Sequence, residues 1–268
     1  MLTFIVRLLD HQESELGWRE QIFLRPNLTR MLKRAARRVG FEVTAMSRYD
    51  AEPHYYEIYE RVEPFTMTSL SRVFSFIAAA EYVSSRGIEG AIVECGVWRG
   101  GSTMAALLAL SRLGDVSREV WLYDTFEGMA PPTHQDSDSD RQIFASYARQ
   151  DGGSDLSRAE LGDVYANVES CGYPMDRIKF LKGKVEDTLP RSVPLQISLL
   201  RLDTDFYEST RQELAYLYPL LVSGGMLIID DYGAHAGARK AVDEFLAVQP
   251  VPLFLHRIDP TGRLVVKP

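Results

Sequence analysis

The chain has 268 residues, of which 46% are hydrophobic and 25% charged, a composition typical of a soluble globular protein. No apolar stretch reaches the roughly 18 residues that a transmembrane helix needs, so stable membrane insertion is not expected. The net charge of −7 is uneven, with +4 on residues 1–40 and −11 on the remainder, and so acidic a main part argues against nucleic acid as a partner.

The first 65 residues are predicted to form a helical extension that serves assembly or caps the substrate. Within it, residues 26–40 form a predicted helix, with Asn27 as its N-cap and Gly40 as its stop. This helix is basic, and three interpretations stay open: a solvated face, a contact in an oligomer, or a contact with an acidic membrane surface. We expect a homo-oligomer.

Residues 66–268 are predicted to form one α/β domain. A long helix is expected over 67–87, where Gly87 ends it. Short apolar segments then alternate with helical ones, which indicates parallel βαβ units. The predicted strands are 91–95, 119–124, 177–183, 197–203 and 226–230, and the predicted helices are 102–114, 159–172, 185–190, 209–221 and 237–248.

The end of the chain departs from this alternation. Two predicted strands, 253–258 and 263–267, flank Asp-Pro-Thr-Gly, a favourable tight-turn sequence, so the last strand should be antiparallel. The predicted fold class is α/β: a doubly wound, mostly parallel, seven-stranded Rossmann-like sheet with a C-terminal antiparallel hairpin. This arrangement is typical of class I methyltransferases, although a fold by itself does not settle function.

A long polar stretch, residues 130–158, interrupts the domain. It is acidic and rich in Gly, Pro and Ser, and no strand or long helix is predicted within it. Loops of this length are usually functional or disordered. We expect a lid over the site; the alternative is a disordered surface insertion.

The two cysteines, Cys95 and Cys171, form no disulfide framework and are too few for a zinc site. Cys95 lies inside an apolar strand pattern, which is typical of a core residue. Both observations favour a reducing, cytoplasmic setting.

Ligands of open α/β sheets bind outside the carboxyl ends of the strands, so the residues that end each strand are the candidates. Gly96, Gly100 and Gly101 follow the first strand and allow close backbone approach, although a tight turn alone would also need glycine. The spacing is not GxGxxG, so a dehydrogenase is a poor fit. Asp124 ends the second strand, where an acid can accept hydrogen bonds from ribose hydroxyls; the alternative is a helix cap or surface residue.

Carboxylates follow the fourth and fifth strands, which are neighbours in a doubly wound sheet. Asp203 closes the fourth strand, Asp205 stands two residues on, and the fifth strand ends in Asp230 and Asp231. Three carboxylates within about 4 Å repel by about 4 kcal/mol per pair at an effective dielectric of 20, so protons or a cation must offset them. Oxygen ligands favour Mg²⁺; the alternative is that some of these groups cap helices.

Two further positions lie near this edge. Glu186, after the third strand, lies where an adenine ring would be held. His235, in the loop after the fifth strand, could orient a substrate hydroxyl or act as a general base. A loop histidine bonded to the backbone is the alternative.

Six segments stand in the order found in the macrocin O-methyltransferase (TylF-type) family, over about residues 60–268. They are IVECGVWRGGS, YDTFEGM, GKVEDTLP, LLRLDTDFYEST, LIIDDYG and GARKAVDEF. The chain therefore resembles S-adenosyl-L-methionine- and Mg²⁺-dependent enzymes that methylate sugar hydroxyls of antibiotics. The resemblance implies a small-molecule glycoside substrate, either a glycosylated natural product or a glycolipid.

The resemblance also implies site residues. It assigns the metal to Asp203, Asp230 and Asp231, makes Asp203 the general base and makes Asp124 the residue that binds the ribose. His235 stays a second catalytic candidate from its position alone. The other cofactor contacts that it implies are Thr66, Met67, Glu94, Gly96, Gly100, Ser102, Phe126, Lys184, Val185 and Glu186. The sequence AHAG after the two aspartates departs from antibiotic-tailoring relatives and leaves the substrate's identity open.

Two other functions compete with methyl transfer. Asp203-Thr204-Asp205 is similar to the Asp-x-Asp motif by which glycosyltransferases hold a nucleotide sugar through Mn²⁺. The glycine turn and Asp124, however, suit a nucleoside without phosphates. A non-catalytic scaffold that binds partners through the basic helix is the second alternative, but such a protein has no need for mutually repelling carboxylates.

Overall fold

The computed structural model describes residues 51–150 and 153–268, so the predicted helix at 26–40 lies outside the described residues. The compact unit that contains the described residues begins at Ala51. Its first helix, α1 (Pro53–Val62), is followed by a 3₁₀ turn (Glu63–Phe65). Ile58 and Val62 of α1 belong to the main hydrophobic core. This helix therefore packs against the α/β domain, whose predicted start is residue 66.

Seven strands form one sheet in the described part of the chain, in the order β3-β2-β1-β4-β5-β7-β6. Strands β1 to β5 are parallel where they pair, and β7 is antiparallel to both β5 and β6. The strands are β1 (Ala91–Cys95), β2 (Val120–Asp124), β3 (Ile178–Lys182), β4 (Ile197–Leu202), β5 (Leu221–Ile229), β6 (His256–Arg257) and β7 (Arg263–Val266). The predicted fold class is confirmed, and so is the adjacency of the fourth and fifth strands.

The remaining helices cover both faces of the sheet. They are α2 (Leu70–Ser85), α3 (Gly101–Leu113), α4 (Asp138–Ser146), α5 (Leu161–Glu169), α6 (Val185–Thr188), α7 (Tyr207–Leu217) and α8 (Ala236–Ala247). Helix α2 starts three residues later than predicted because the Ser69 side chain caps it, accepting a hydrogen bond from the Arg72 N–H. Helix α7 ends before Pro219, which cannot donate a backbone hydrogen bond, and β5 then begins five residues earlier than predicted.

The stretch 130–158, where no strand or long helix is predicted, contains one short helix, α4, of nine residues. Its start is a capping box: the Ser137 side chain accepts from the Asp140 N–H, and the Asp140 side chain accepts from the Ser137 N–H. The Ser-x-x-Asp spacing that signals this start is present in the sequence. The residues after it lack the apolar periodicity that predicts a helix, because the one buried residue of α4 is Asp140 and not an apolar side chain.

The core lies on both faces of the buried central strands. Every residue of β1 and β4 is buried, as expected for strands covered on two sides. Successive residues face opposite layers: Leu199 belongs to the core formed with α2 and α3, and Leu200 to the core formed with α7 and α8. Cys95 is a buried free thiol, as the apolar pattern predicts. Among the described residues, no helix has the length and apolar character needed to cross a membrane.

Candidate active site

Two cavities open at the carboxyl edge of the central strands. The β2-side cavity is lined by Gly96, Asp124, Lys184, Val185 and Glu186, among others. The β5-side cavity is lined by Phe65, Thr66, Arg72, Ser102, Asp230 and Asp231, among others. Met67, Trp98, Asp203 and Asp205 line both cavities, so the two spaces meet at the end of β4. The parallel strand order therefore brings most of the sequence-predicted site residues to one edge.

The turn after β1 is shaped by glycine. Gly96 has φ of 82°, and a Cβ placed on it would lie 1.8 Å from the backbone oxygen of Asp203. The Asp203 N–H in turn donates to the Cys95 carbonyl at 2.8 Å. Close contact between the ends of β1 and β4 thus requires glycine at this position.

Gly96→Ala is expected to destabilise the fold and to displace the Asp203 backbone, because the new methyl group meets backbone atoms at a left-handed φ. Thermal unfolding of the purified variant measures this effect. Gly162→Ala is the matched control: it lies within α5, a Cβ added there would meet no atom within 4 Å, and alanine favours helix. Equal melting temperatures for Gly96→Ala and the wild type would contradict the steric argument.

The start of α3 lies against the segment before α2. Gly100 is the N-cap with φ of 90° and no side-chain cap, and Gly101 lies so close to Phe65 that a Cβ would approach its carbonyl carbon to 2.5 Å. The Thr66 and Ser102 hydroxyls are 3.4 Å apart. The structure thus groups Thr66, Ser102 and the uncapped N–H groups of α3, which present partial positive charge to the β5-side cavity.

Asp124 tethers the loop after β1. Its Oδ2 accepts hydrogen bonds from the Val97 and Trp98 N–H groups at 2.7 and 3.0 Å, and its Oδ1 accepts from the Phe126 N–H at 2.7 Å. The carboxylate still lines the β2-side cavity. Phe126 contributes its backbone here, while its side chain is buried in the core and lies near the ring of Phe180.

Glu94 lies beneath the cavities and does not line them. Its carboxylate accepts from Arg201 Nη1 at 2.5 Å and from the Thr103 hydroxyl. Burial raises the pKa of Glu94, and the attraction of Arg201 only partly opposes this shift. The structure therefore gives Glu94 a supporting position, distinct from the direct cofactor contact implied by the resemblance.

Arg201 is the main site residue that was not predicted from the sequence. It is 2% exposed, and its Nη2 lies 2.7 Å from Asp203 Oδ2 and 2.9 Å from Asp230 Oδ1. A signal exists, because β1 and β4 each contain one charged residue, of opposite sign. Glu94 and Arg201 are paired in the register of these two strands.

A second guanidinium reaches Asp230 from α2. Arg72 Nη1 binds Asp230 Oδ2, and Arg72 Nε binds Asp259 in the C-terminal turn at 3.0 Å. The Thr68 hydroxyl donates to the same Asp230 oxygen at 2.9 Å. The expectation that only protons or a cation could offset the carboxylate repulsion is therefore corrected: two arginines supply part of the compensation.

Asp203, Asp230 and Asp231 nevertheless remain a group rich in negative charge. One carboxylate oxygen from each of the three residues lies within 4.8 Å of the other two. Burial raises the pKa of Asp231, and repulsion from Asp205 and Asp230 raises it further. Desolvation also raises the pKa of Asp203, despite the opposing effect of Arg201. The site thus still favours an additional positive charge.

Asp205 differs from Asp203 and Asp230, which pair with arginines, because it has no arginine partner within the described residues. Its backbone φ is 67°, and its N–H donates to Asp231 Oδ2 at 3.2 Å. Desolvation, followed by repulsion from Asp203, raises the pKa of Asp205 to about 7. The side chain lines both cavities. It is the acid best placed to accept a proton where the cavities meet.

His235 stands at the N-terminal end of α8. Its Nε2 lies 3.9 Å from Asp205 Oδ1, and its Nδ1 lies 2.9 Å from Asp140 Oδ1 on α4. His235 can be grouped with Asp205 and Asp231 as a second set of potential metal ligands. An imidazole ligand suits transition metals better than Mg²⁺, so the oxygen-only group fits Mg²⁺ better.

Residues 129–140, which lead into α4 and include its first turn, lie against the site. Met129, Ala130, Pro131 and Thr133 line the β2-side cavity. Asp136 is 4% exposed, and its Oδ1 accepts from the N–H of Tyr207, the first residue of α7, at 2.7 Å. These contacts place residues 129–140 beside the cavities, and the lid over residues 130–158 stays a prediction.

A doubly wound sheet whose last strand, β7, is antiparallel is the fold of class I methyltransferases. A solved structure of the O-methyltransferase NovP has the same fold. It superposes with a TM-score of 0.67 at 30% identity, covering 76% of this chain and 82% of that chain.

The chain belongs to the macrocin-O-methyltransferase (TylF) family, whose model matches residues 9–266. One relative is the 8-demethyl-8-(2,3-dimethoxy-alpha-L-rhamnosyl)-tetracenomycin-C 4'-O-methyltransferase of Streptomyces olivaceus, 38% identical over 74% of this chain and 73% of the relative. Another is the demethyldecarbamoylnovobiocin O-methyltransferase of Streptomyces niveus, 33% identical over the same shares. The family resemblance is confirmed, and the protein is an O-methyltransferase.

Proposed function

We propose that this enzyme transfers a methyl group from S-adenosyl-L-methionine to a sugar hydroxyl of a glycosylated natural product, with Mg²⁺ as the metal. The observation that carries the proposal is the meeting of two cavities at Asp203 and Asp205, beside the carboxylate group that ends β4 and β5. The name of the tetracenomycin relative specifies methylation of a rhamnosyl compound, which favours a natural-product glycoside over a glycolipid.

The β2-side cavity and the α3 N-terminus fit the cofactor. Glu186 Oε2 is buried and has no hydrogen-bond partner among the described residues, so it can accept from an adenine amino group. Asp124 can accept from ribose hydroxyls with its remaining lone pairs, and the uncapped N–H groups of α3 suit the cofactor's carboxylate. When bound, S-adenosyl-L-methionine supplies a methyl group activated by a sulfonium.

Asp203, Asp230 and Asp231 fit Mg²⁺. They offer oxygen atoms within 4.8 Å of one another, and their excess negative charge persists beside Arg201 and Arg72. When bound, Mg²⁺ supplies Lewis-acid polarisation of an acceptor hydroxyl. Asp203 and Asp230 are oriented for this role by Arg201, which holds one oxygen of each.

The geometry favours separate residues for the ligand and base roles that the resemblance gives to Asp203. A carboxylate that pairs with Arg201 and binds a cation is a weak proton acceptor. Asp205 has neither constraint within the described residues and faces the same space. We assign to Asp205 the removal of the acceptor hydroxyl proton, while Asp203 holds the metal.

Family membership favours methyl transfer over the glycosyltransferase alternative. Asp124 and Glu186 also line the β2-side cavity, and their two carboxylates would repel the diphosphate of a nucleotide sugar. The scaffold alternative explains neither Asp205, which faces both cavities, nor the carboxylate group beside it.

Incubation with methyl-labelled S-adenosyl-L-methionine and a panel of rhamnosides and other glycosides tests the proposal. We expect label transfer to a glycoside, its loss with a chelator, and its recovery when Mg²⁺ is restored. Calorimetry should show binding of S-adenosyl-L-methionine and none of nucleotide sugars. Label transfer that is indifferent to chelation would reject the metal, and binding of only nucleotide sugars would reject methyl transfer.

A further inference from the structure

A carboxylate–imidazole pair, in which the carboxylate is buried and the imidazole partly exposed, joins the predicted lid to the active-site edge. Asp140, on α4, is 7% exposed, and its Oδ1 lies 2.9 Å from Nδ1 of His235. The two residues are separated by 95 positions in the sequence. On its other side, the His235 ring presents Nε2 to Asp205 at 3.9 Å and meets the Phe206 ring edge to face, with centroids 6.2 Å apart.

The two oxygens of Asp140 have separate partners. Oδ2 completes the capping box of α4, accepting from the Ser137 hydroxyl at 2.6 Å and the Ser137 N–H at 3.3 Å. Oδ1 is therefore not needed for the cap and is directed at His235. An N3 acid that served only to cap a surface helix would have no reason to be buried against a second element.

The charge of Asp140 fixes the direction of the hydrogen bond. Burial acts to raise the pKa of Asp140, but hydrogen bonds from Ser137 and His235 outweigh it and lower the pKa. The ionised carboxylate only accepts, so His235 donates through Nδ1–H. Neutral imidazole carries one ring proton, and Nε2 is then the acceptor nitrogen that faces the Asp205 side of the site.

Asp136, four residues before Asp140, makes a second contact with the elements next to the site. Asp136 accepts from the Tyr207 N–H, and a Cβ on Gly237 would lie 1.9 Å from Asp136 Oδ1. Close approach at the first turn of α8 therefore requires glycine two residues after His235. Residues 133–140 thus contact the N-terminal ends of both α7 and α8.

We propose that Asp140 is a positioning residue that couples lid docking to the active site by holding His235 with Nε2 directed toward Asp205. With the lid docked, Nε2 accepts a hydrogen bond from a second hydroxyl of the sugar acceptor, and this contact orients the hydroxyl that Asp205 deprotonates. This role rests on the proposed methyl transfer. The orientation of the imidazole, however, is a property of the protein alone and can be tested without an acceptor.

The first test is long-range proton–nitrogen NMR of the full-length protein with S-adenosyl-L-homocysteine, at an alkaline pH where imidazole is neutral. The chain has five histidines, and loss of one signal in His235→Gln assigns His235. We expect the Nδ1–H tautomer in the wild type and the Nε2–H tautomer in Asp140→Asn, whose amide can donate to Nδ1. An Nε2–H tautomer in the wild type would overturn the proposal whether or not the methyl acceptor is known.

The second test is a double-mutant cycle on turnover with a glycoside that the wild type methylates. Asp140→Asn should lower kcat by about tenfold with little change in the KM of the cofactor, and should have no further effect in a His235→Ala background. Asp138→Asn is the matched control, since this exposed residue of the same helix pairs with Arg141. If Asp140→Asn still lowered kcat about tenfold in the His235→Ala background, Asp140 would not act through His235. This conclusion would hold even if the melting temperature were unchanged.

Discussion

Asp203→Asn is expected to lower turnover by more than about 100-fold while the fold and cofactor binding are retained. Outer-shell changes at metal sites already cost about 10–100-fold, and Asp203 is placed as a direct ligand. Asparagine is nearly isosteric and keeps a side-chain oxygen that can face Arg201. Initial rates with saturating cofactor and glycoside measure turnover, and thermal unfolding measures retention of the fold. Calorimetric titrations measure the affinities for Mg²⁺ and S-adenosyl-L-methionine.

Asp187→Asn is the control for this substitution. Asp187 follows β3 on the short helix α6, is exposed, and lines neither cavity. It should leave turnover and Mg²⁺ affinity unchanged. If Asp203→Asn kept wild-type turnover and Mg²⁺ affinity, neither the metal site nor the assignment of Asp203 as a ligand would survive.

Arg201→Met is expected to reduce the free energy of unfolding by about 3–5 kcal/mol, the usual cost of removing one member of a buried ion pair. The substitution would leave Glu94 buried against a methionine and would remove the partner shared by Asp203 and Asp230. Methionine fills similar space, so loss of charge compensation is the main effect. Denaturant unfolding monitored by circular dichroism measures it.

A second substitution separates charge from packing. Glu94→Gln combined with Arg201→Met removes the unpaired buried charge and should recover part of the lost stability. Arg239→Met is the exposed control, because Arg239 is 62% exposed and lies 3.6 Å from Asp243, so its loss should cost no more than about 0.5 kcal/mol. A destabilisation by Arg201→Met as small as that of Arg239→Met would show that the buried cluster does not depend on its central cation.

Arg201 also explains how the site can hold its carboxylates at close range before any ligand binds. One guanidinium forms ion pairs with Glu94, Asp203 and Asp230. Its rigid planar fork suits simultaneous contacts with several carboxylates. Arg201 and Arg72 leave part of the negative charge uncompensated, so the cluster can still attract a cation.

Much of the fold follows from local sequence patterns. Short apolar segments separated by helical periods specify parallel strands, and the turn around Pro260 and Gly262 specifies the terminal hairpin. The same patterns place Asp124, Asp203, Asp230 and Asp231 at strand ends. Convergence at the carboxyl edge then follows, because neighbouring parallel strands end on the same side of a sheet.

The sequence by itself determined the class of fold, the family and the acids that end the strands, since these depend on periodicity and on residues close together in the chain. Only the tertiary structure decided which charges meet: Arg201 with Glu94 across 107 positions, Arg72 with Asp230 across 158, and His235 with Asp140 across 95. Such pairs leave no local periodic signal, because the first depends on which strands are neighbours in the sheet and the other two on how helices α2, α4 and α8 pack around it. That packing also places Glu94 beneath the cavities and Asp205 where both cavities meet.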